Sequence, residues 1–92
     1  MTMTYTQFEN EFLVGSACAA DSALAADPNS LGQIEGFAAA EAVLSSVNEQ
    51  WVRSAVRNFE RHGWVSHVIE PTSGGIWFMM TGEGKRKAES LG

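Results

Sequence analysis

Residues 49–65 read EQWVRSAVRNFERHGWV, an amphipathic helical pattern that ends at a glycine and continues into a strand-like segment. At about 100° per residue, apolar and polar side chains separate onto opposite sides of this helix. The apolar side comprises Trp51, Val52, Ala55, Val56 and Phe59. The polar side comprises Gln50, Arg53, Ser54, Arg57, Asn58 and Arg61. Because Asn48 is a favourable N-cap and Gly63 suits the position after a helix, the pattern predicts a helix from Glu49 to about His62.

The sequence after Gly63 changes from helical to β-strand patterning. Residues 64–69 (WVSHVI) and 76–80 (IWFMM) are rich in β-branched and aromatic residues, and the loop between them contains proline and glycine. Such a loop favours a turn, so residues 64–80 are predicted to form a β-hairpin. Residues 82–91 then predict a short amphipathic helix at the C-terminal end.

Two further helices are predicted before the third one. Residues 5–26 are rich in alanine and carry apolar side chains at helical spacing, and Thr6 followed by Glu9 has the form of a capping box. Gly15 weakens the middle of this helix, so two shorter helices are the alternative. Residues 30–62 are predicted to form a helix-turn-helix, in which the second helix covers residues 31–45. The chain of 92 residues is therefore predicted to be a single α+β domain without internal repeats.

The net charge of −5 conceals an uneven distribution along the chain. Residues 1–48 contain six acidic residues and no Lys or Arg, whereas residues 49–92 contain all six basic residues and five acidic ones. The overall balance argues against a polybasic membrane anchor or a non-specific nucleic-acid coat. The Lys and Arg residues instead lie only in the predicted third and fourth helices.

The remaining residue types do not indicate catalysis or a bound cofactor. The single cysteine, Cys18, excludes an internal disulfide, and its alanine-rich surroundings predict a small buried hydrophobe. Neither His62 nor His67 has a carboxylate or cysteine at metal-ligand spacing, and no nucleophile is placed beside a base. No apolar run approaches the roughly 18 residues of a membrane span, and the N-terminus lacks a basic secretory start. We therefore expect a cytoplasmic protein that is not an enzyme and holds no metal or cofactor.

The polar side of the third helix predicts contact with double-stranded DNA. It carries three arginines at positions i, i+4 and i+8, with Gln50 before the first of them and Ser54 and Asn58 between them. Arg donates paired hydrogen bonds to guanine or phosphate, Gln and Asn pair with adenine, and Ser suits either. The alternative is an ordinary solvated face, although such a face usually mixes Glu with Lys and no lysine occurs before residue 85.

These elements resemble a winged helix-turn-helix domain and are similar to small bacterial regulators of the MarR-like and PadR-like groups. The resemblance depends on residues 47–65, as a recognition helix followed by the first wing strand, and on residues 81–86 (TGEGKR), which open the next helix. It covers about residues 30–91, with residues 5–26 in the place of the first helix. The implied fold has a three-helix core, a two-stranded β-hairpin wing and a C-terminal helix.

The resemblance implies a DNA-binding transcriptional regulator whose third helix enters the major groove. The implied nucleic-acid contacts come from Gln50, Arg53, Ser54, Arg57, Asn58, Arg61, Thr72 and Ser73. The wing loop, residues 70–75, contains no Lys or Arg, and Glu70 would repel phosphate, so a homodimer would supply the contacts that one subunit lacks. The alternative is a protein-binding winged helix, such as a phage-type adaptor or inhibitor, which acts through its acidic half or through the wing strand bearing Trp77 and Met79.

Overall fold

The computed structural model describes residues 3–29, 31–44, 46 and 48–92, and these residues form four helices and a three-stranded antiparallel sheet. The helices are α1 (Tyr5–Ala26), α2 (Gly36–Glu41), α3 (Glu49–Arg61) and α4 (Gly82–Leu91). The strands are β1 (Gln33–Glu35), β2 (Val65–Ile69) and β3 (Trp77–Met80). The α+β class is confirmed. Ser30, Ser45 and Val47, which belong to the predicted helix-turn-helix, lie outside the described residues.

The sheet has β3 at its centre, with β1 on one side and β2 on the other. Strands β2 and β3 pair antiparallel, as the hairpin pattern predicts, with Val65 opposite Met80 and Ile69 opposite Trp77. The register shifts between these two pairs, and His67 within the shift has a φ of +55°. A β-bulge of this kind bends its strand and increases the local twist.

The predicted second helix, residues 31–45, is wrong at both ends, because residues 31–35 are not helical and α2 already ends at Glu41. Leu31 and Gly32 have φ values of +62° and +68°, which belong to a turn and not to a right-handed helix. The next three residues form β1, in which Ile34 pairs with Phe78 on β3. A third strand therefore replaces the first part of the helix, and α2 is only six residues long.

The side chain of Glu35 marks the change from β1 to α2. Its carboxylate accepts hydrogen bonds from the backbone N–H of Phe37 at 3.1 Å and of Ala38 at 2.8 Å. It also accepts one from the backbone N–H of Ile76 at 2.9 Å. One acidic side chain thus caps a helix and holds it beside the strand hairpin.

Helix α1 has the predicted extent, but two details of its prediction are wrong. The capping box begins at Thr4 and not at Thr6, because Thr4 Oγ1 accepts from the Gln7 N–H at 3.1 Å and Gln7 Oε1 accepts from the Thr4 N–H at 3.0 Å. Cys18 is exposed and not buried. At helical spacing it falls on the side opposite the buried residues of α1.

The hydrophobic core joins α1, α3 and the sheet through aromatic rings. Phe12 is fully buried, and its ring centroid lies 5.3 Å from that of Phe8, 5.8 Å from that of Phe59 and 6.2 Å from that of Phe78. Because these residues come from three elements, the core packs α3 against both α1 and the hairpin. Among the described helices, none combines the length and the apolar character needed to cross a bilayer.

Candidate nucleic-acid interface

Helix α3 presents most of its predicted polar side to solvent. Its first turn is capped by Asn48, whose Oδ1 accepts a hydrogen bond from the Trp51 N–H at 3.1 Å. The opposite side is buried in the core at Val52, Ala55, Val56 and Phe59. The exposed residues of the predicted polar side are Gln50, Arg53, Ser54, Arg57 and Arg61, and Glu49 and Glu60 of the same helix are exposed as well. The exposed polar side chains are therefore held on a helix that cannot rotate without exposing its core side.

Asn58 is the polar residue of α3 that turns towards α1. It is half-buried, and its amide nitrogen donates to Glu9 Oε2 at 3.1 Å and to the Tyr5 hydroxyl at 3.4 Å. Burial raises the pKa of Tyr5 to about 12, with a smaller effect from its hydrogen bond to Glu9 and the charge of that carboxylate. The Asn58 side chain thus joins two helices, and a contact between Asn58 and a base would require these bonds to break.

Glu70 connects the hairpin to two arginines of α3. It follows the last residue of β2, and its two carboxylate oxygens each accept from a different guanidinium. Arg53 Nε donates to Oε1 at 2.9 Å, and Arg57 Nη2 donates to Oε2 at 3.0 Å. The hydrogen bond from Arg53, followed by that from Arg57, holds the pKa of Glu70 below its ordinary value against an opposing effect of burial. The sequence alone suggests only a repulsive role for Glu70, so this bridge is a feature that sequence reasoning misses.

The same two arginines have further partners on the surface. Arg53 Nη1 lies 3.7 Å from a carboxylate oxygen of Glu49, and its guanidinium carbon lies 5.3 Å from the centre of the Phe37 ring. Arg57 Nη1 donates to Glu60 Oε1 at 3.2 Å, and this hydrogen bond is the main reason that the pKa of Arg57 is raised. Each arginine is therefore oriented by two carboxylates.

The charges of this surface balance formally. Three arginines (Arg53, Arg57 and Arg61) stand among three glutamates (Glu49, Glu60 and Glu70). Within the described part of the chain, no ion pair includes Arg61. Because exposed ion pairs contribute only about 0–1 kcal/mol, an incoming anion can compete for the paired arginines.

An open groove gathers most of the predicted nucleic-acid contacts. Its walls include Gln50, Arg53, Ser54, Arg57, Asn58 and Arg61. Tyr5, Trp51 and Glu70 also line it, although the sequence pattern does not assign them to the site. Thr72 and Ser73 are exposed in the hairpin turn and do not line this groove. The predicted wing contacts and helix contacts are thus separate parts of the surface.

Comparison with known proteins gives no relative for this chain. No protein-family model, no curated protein and no solved structure matches it. Across the described residues, no group of three or more His, Cys, Asp or Glu side chains is arranged to hold a metal ion. A functional assignment therefore depends on the chemistry of the α3 surface itself.

Proposed function

We propose that this protein is a small DNA-binding transcriptional regulator with a winged-helix fold. The observation that carries the proposal is the solvent side of α3, where three arginines one turn apart are exposed and the opposite side is buried. The order of the elements also supports it, since the antiparallel β2–β3 hairpin follows directly after α3. An α-helix with this polar side fits the major groove of B-DNA, which is about 12 Å wide.

The side chains of α3 have different roles in this proposal. Gln50 and Ser54 contact base edges. Arg53 and Arg57 enter the major groove and donate paired hydrogen bonds to guanine or to a backbone phosphate. Arg61, near the end of the helix, contacts phosphate. With a formal net charge of −5 and a wing turn without Lys or Arg, one subunit makes few phosphate contacts. A homodimer doubles these contacts, and the affinity falls with salt according to the number of phosphates neutralised.

Substitution of the α3 arginines is expected to weaken DNA binding. We expect Arg53→Ala/Arg57→Ala to lose about tenfold or more in affinity, because a good bidentate contact is worth about 1–3 kcal/mol. Arg61→Ala should lower the slope of log affinity against log salt by about 1. The measurement is a mobility shift at low salt with a mixed-sequence duplex of roughly 30 base pairs, about three helical turns.

Arg86→Ala is the matched control for Arg61→Ala, and Arg86→Ala/Lys87→Ala, which also removes two positive charges, is the matched control for the double variant. Arg86 is exposed on α4 and lies outside the α3 groove, so its removal lowers the positive charge but is expected to leave DNA affinity within about twofold. Far-ultraviolet circular dichroism establishes that each variant is folded. Equal affinity of the wild type and of Arg53→Ala/Arg57→Ala, or no binding by the wild type at low salt, would contradict the proposal.

A second candidate function is the docking of a basic protein segment on α1 and α2. Two shallow grooves meet at Gly15 and Ala42, and their walls are largely small or apolar side chains. Glu11 lines one groove and Glu35 the other, while Glu41 is exposed beside Ala42. Residues 1–48 contain no Lys or Arg. An apolar surface with acidic edges fits a helical segment that combines leucine with lysine or arginine.

Docking of such a segment is expected to depend on the point where the grooves meet. The probe is a fluorescent helical peptide of leucine and lysine, with binding followed by anisotropy. Ala42→Arg places a large cation at the junction and should lower the affinity about tenfold or more. Ser90→Arg adds the same charge at an exposed position of α4 outside both grooves and should have little effect. Equal losses of peptide affinity in the two variants would show that binding depends only on the overall charge of the protein, and would exclude this docking site.

A further inference from the structure

The position of Glu70 suggests how the α3 surface is controlled. Both of its carboxylate oxygens are engaged, one with Arg53 at 2.9 Å and the other with Arg57 at 3.0 Å. A carboxylate and a phosphodiester each present two oxygens that share one negative charge, and guanidinium groups bind both. Glu70 thus lies where the two non-bridging oxygens of a DNA phosphate would contact the same arginines.

We propose that Glu70 closes an oxyanion site between Arg53 and Arg57 and thereby lowers the affinity of α3 for DNA phosphate. The effect on DNA rests on the proposed function, whereas the oxyanion site itself does not. The site takes a tetrahedral or planar oxyanion, and the phosphate of the DNA backbone is the ligand of interest. Binding exchanges the internal carboxylate for an external oxyanion and forms no covalent bond.

The backbone around Glu70 holds the carboxylate in place. Glu70 directly follows β2 and precedes Pro71, whose ring fixes its own φ and restricts the residue before it. It lies 17 residues after Arg53 and 13 after Arg57, so the bridge exists only when the hairpin is folded against α3. The closure of the oxyanion site by Glu70 therefore requires the tertiary structure, and α3 alone does not provide it.

Although Glu70 occupies the site, all three side chains are accessible to solvent, so an external anion can reach it. The side chains of Arg53 and Arg57 are 48% and 46% exposed, and that of Glu70 is 35% exposed. Among the described residues, Glu70 is the only carboxylate that pairs with both arginines, since Glu49 pairs with Arg53 and Glu60 with Arg57. These two glutamates provide matched controls, because each carries the same charge but contacts one arginine.

The decisive experiment compares Glu70→Gln with Glu60→Gln and Glu49→Gln. In a mobility shift at low salt with the same duplex, Glu70→Gln is expected to raise DNA affinity about tenfold, and each control about threefold or less, because only Glu70 occupies both arginines. The salt slope of Glu70→Gln should also become steeper by about 0.9 for each additional phosphate that the protein neutralises. An equal rise in affinity in all three variants would show a general charge effect and overturn the closure.

A second readout tests the oxyanion site without DNA. Inorganic phosphate is titrated into ¹⁵N-labelled protein while the Nε–H signals of Arg53 and Arg57 are followed. We expect Glu70→Gln to respond at about one-tenth of the phosphate concentration needed by the wild type, and the Arg61 signal to respond equally in both. Equal responses of Arg53 and Arg57 in the two proteins would overturn the closure by Glu70, and no response of either signal in Glu70→Gln would overturn the oxyanion site.

The two readouts separate failure of the closure from failure of the proposed function. Phosphate binding by Glu70→Gln, without DNA binding by any variant, would support the oxyanion site and contradict DNA recognition. Unchanged DNA affinity in Glu70→Gln, with a loss in Arg53→Ala/Arg57→Ala, would support DNA recognition and contradict the closure. Thermal melting of each variant establishes that the hairpin remains folded.

Discussion

Replacement of Gly84 by alanine is expected to destabilise the fold by about 3 kcal/mol or more, the upper part of the range for overpacked sites. A Cβ at Gly84 would overlap the carbonyl oxygen of Trp64 and lie 2.8 Å from its carbonyl carbon and 2.9 Å from Met80 Cε. The Trp64 carbonyl belongs to the backbone and also accepts a hydrogen bond from the Thr81 N–H at 3.0 Å. Because it cannot rotate away, α4 would have to move from the sheet.

Thermal unfolding followed by circular dichroism measures this effect. At about 4–8 °C per kcal/mol for a domain of this size, Tm should fall by more than about 10 °C in Gly84→Ala. Gly82→Ala is the control in the same helix, since its Cβ would meet only the flexible Arg86 Nη1, at 3.6 Å. The control should be neutral or slightly stabilised, because alanine favours helix more than glycine. Equal losses of stability in both variants would exclude overlap between the new Cβ at Gly84 and the Trp64 carbonyl as the cause.

The elements that the sequence predicts well begin and end at residues whose role can be recognised from the few residues around them. Helix α3 has an N-cap at Asn48 and ends before Gly63, whose φ of +76° favours glycine. Helix α4 begins after Thr81, whose hydroxyl accepts from the Gly84 N–H at 3.0 Å. Helical or alternating apolar patterns fill the segments between these points. Local chemistry is therefore sufficient for α3, the hairpin and α4.

The elements that sequence reasoning misses depend on contacts between distant residues. Strand β1 is three residues long and is stabilised by its pairing with β3, as in the Ile34–Phe78 pair. Its alanine-rich neighbours have helical spacing, so a local pattern favours helix there. Tertiary pairing overrides this preference.

The candidate site has the same limitation. Its arginine row follows from helical spacing, whereas the bond from Asn58 to Glu9 and the Glu70 bridge join residues that are 49, 13 and 17 positions apart. No local pattern indicates which carboxylate will meet which guanidinium. The sequence therefore predicts which groups α3 presents, and the tertiary structure determines which of them are already paired.

Replacement of Phe12 by alanine is expected to cost about 3–5 kcal/mol of the free energy of unfolding. The ring is fully buried and contacts Phe59 of α3 and Phe78 of β3, so its removal leaves a cavity at the point where three elements meet. Domains are typically stable by only about 5–15 kcal/mol, so the loss is a large share of the total. Urea denaturation measures the midpoint and the slope. Ile69→Ala is the control, because Ile69 is 50% exposed and surface changes usually stay within about 0.5 kcal/mol.

The same variant tests whether the core orients the α3 surface. Phe59 on α3 packs against Phe12, and the hairpin that carries Glu70 begins a few residues after Phe59. If the core only keeps the chain folded, Phe12→Ala should bind DNA like the wild type at temperatures where it is fully folded. If the core also sets the angle between α3 and the hairpin, the Arg53–Glu70 bond should weaken while the helices persist. The Nε–H signal of Arg53 would then shift towards its position in Glu70→Gln. An unchanged Arg53 signal in folded Phe12→Ala would show that Phe12 contributes to stability but not to the orientation of α3.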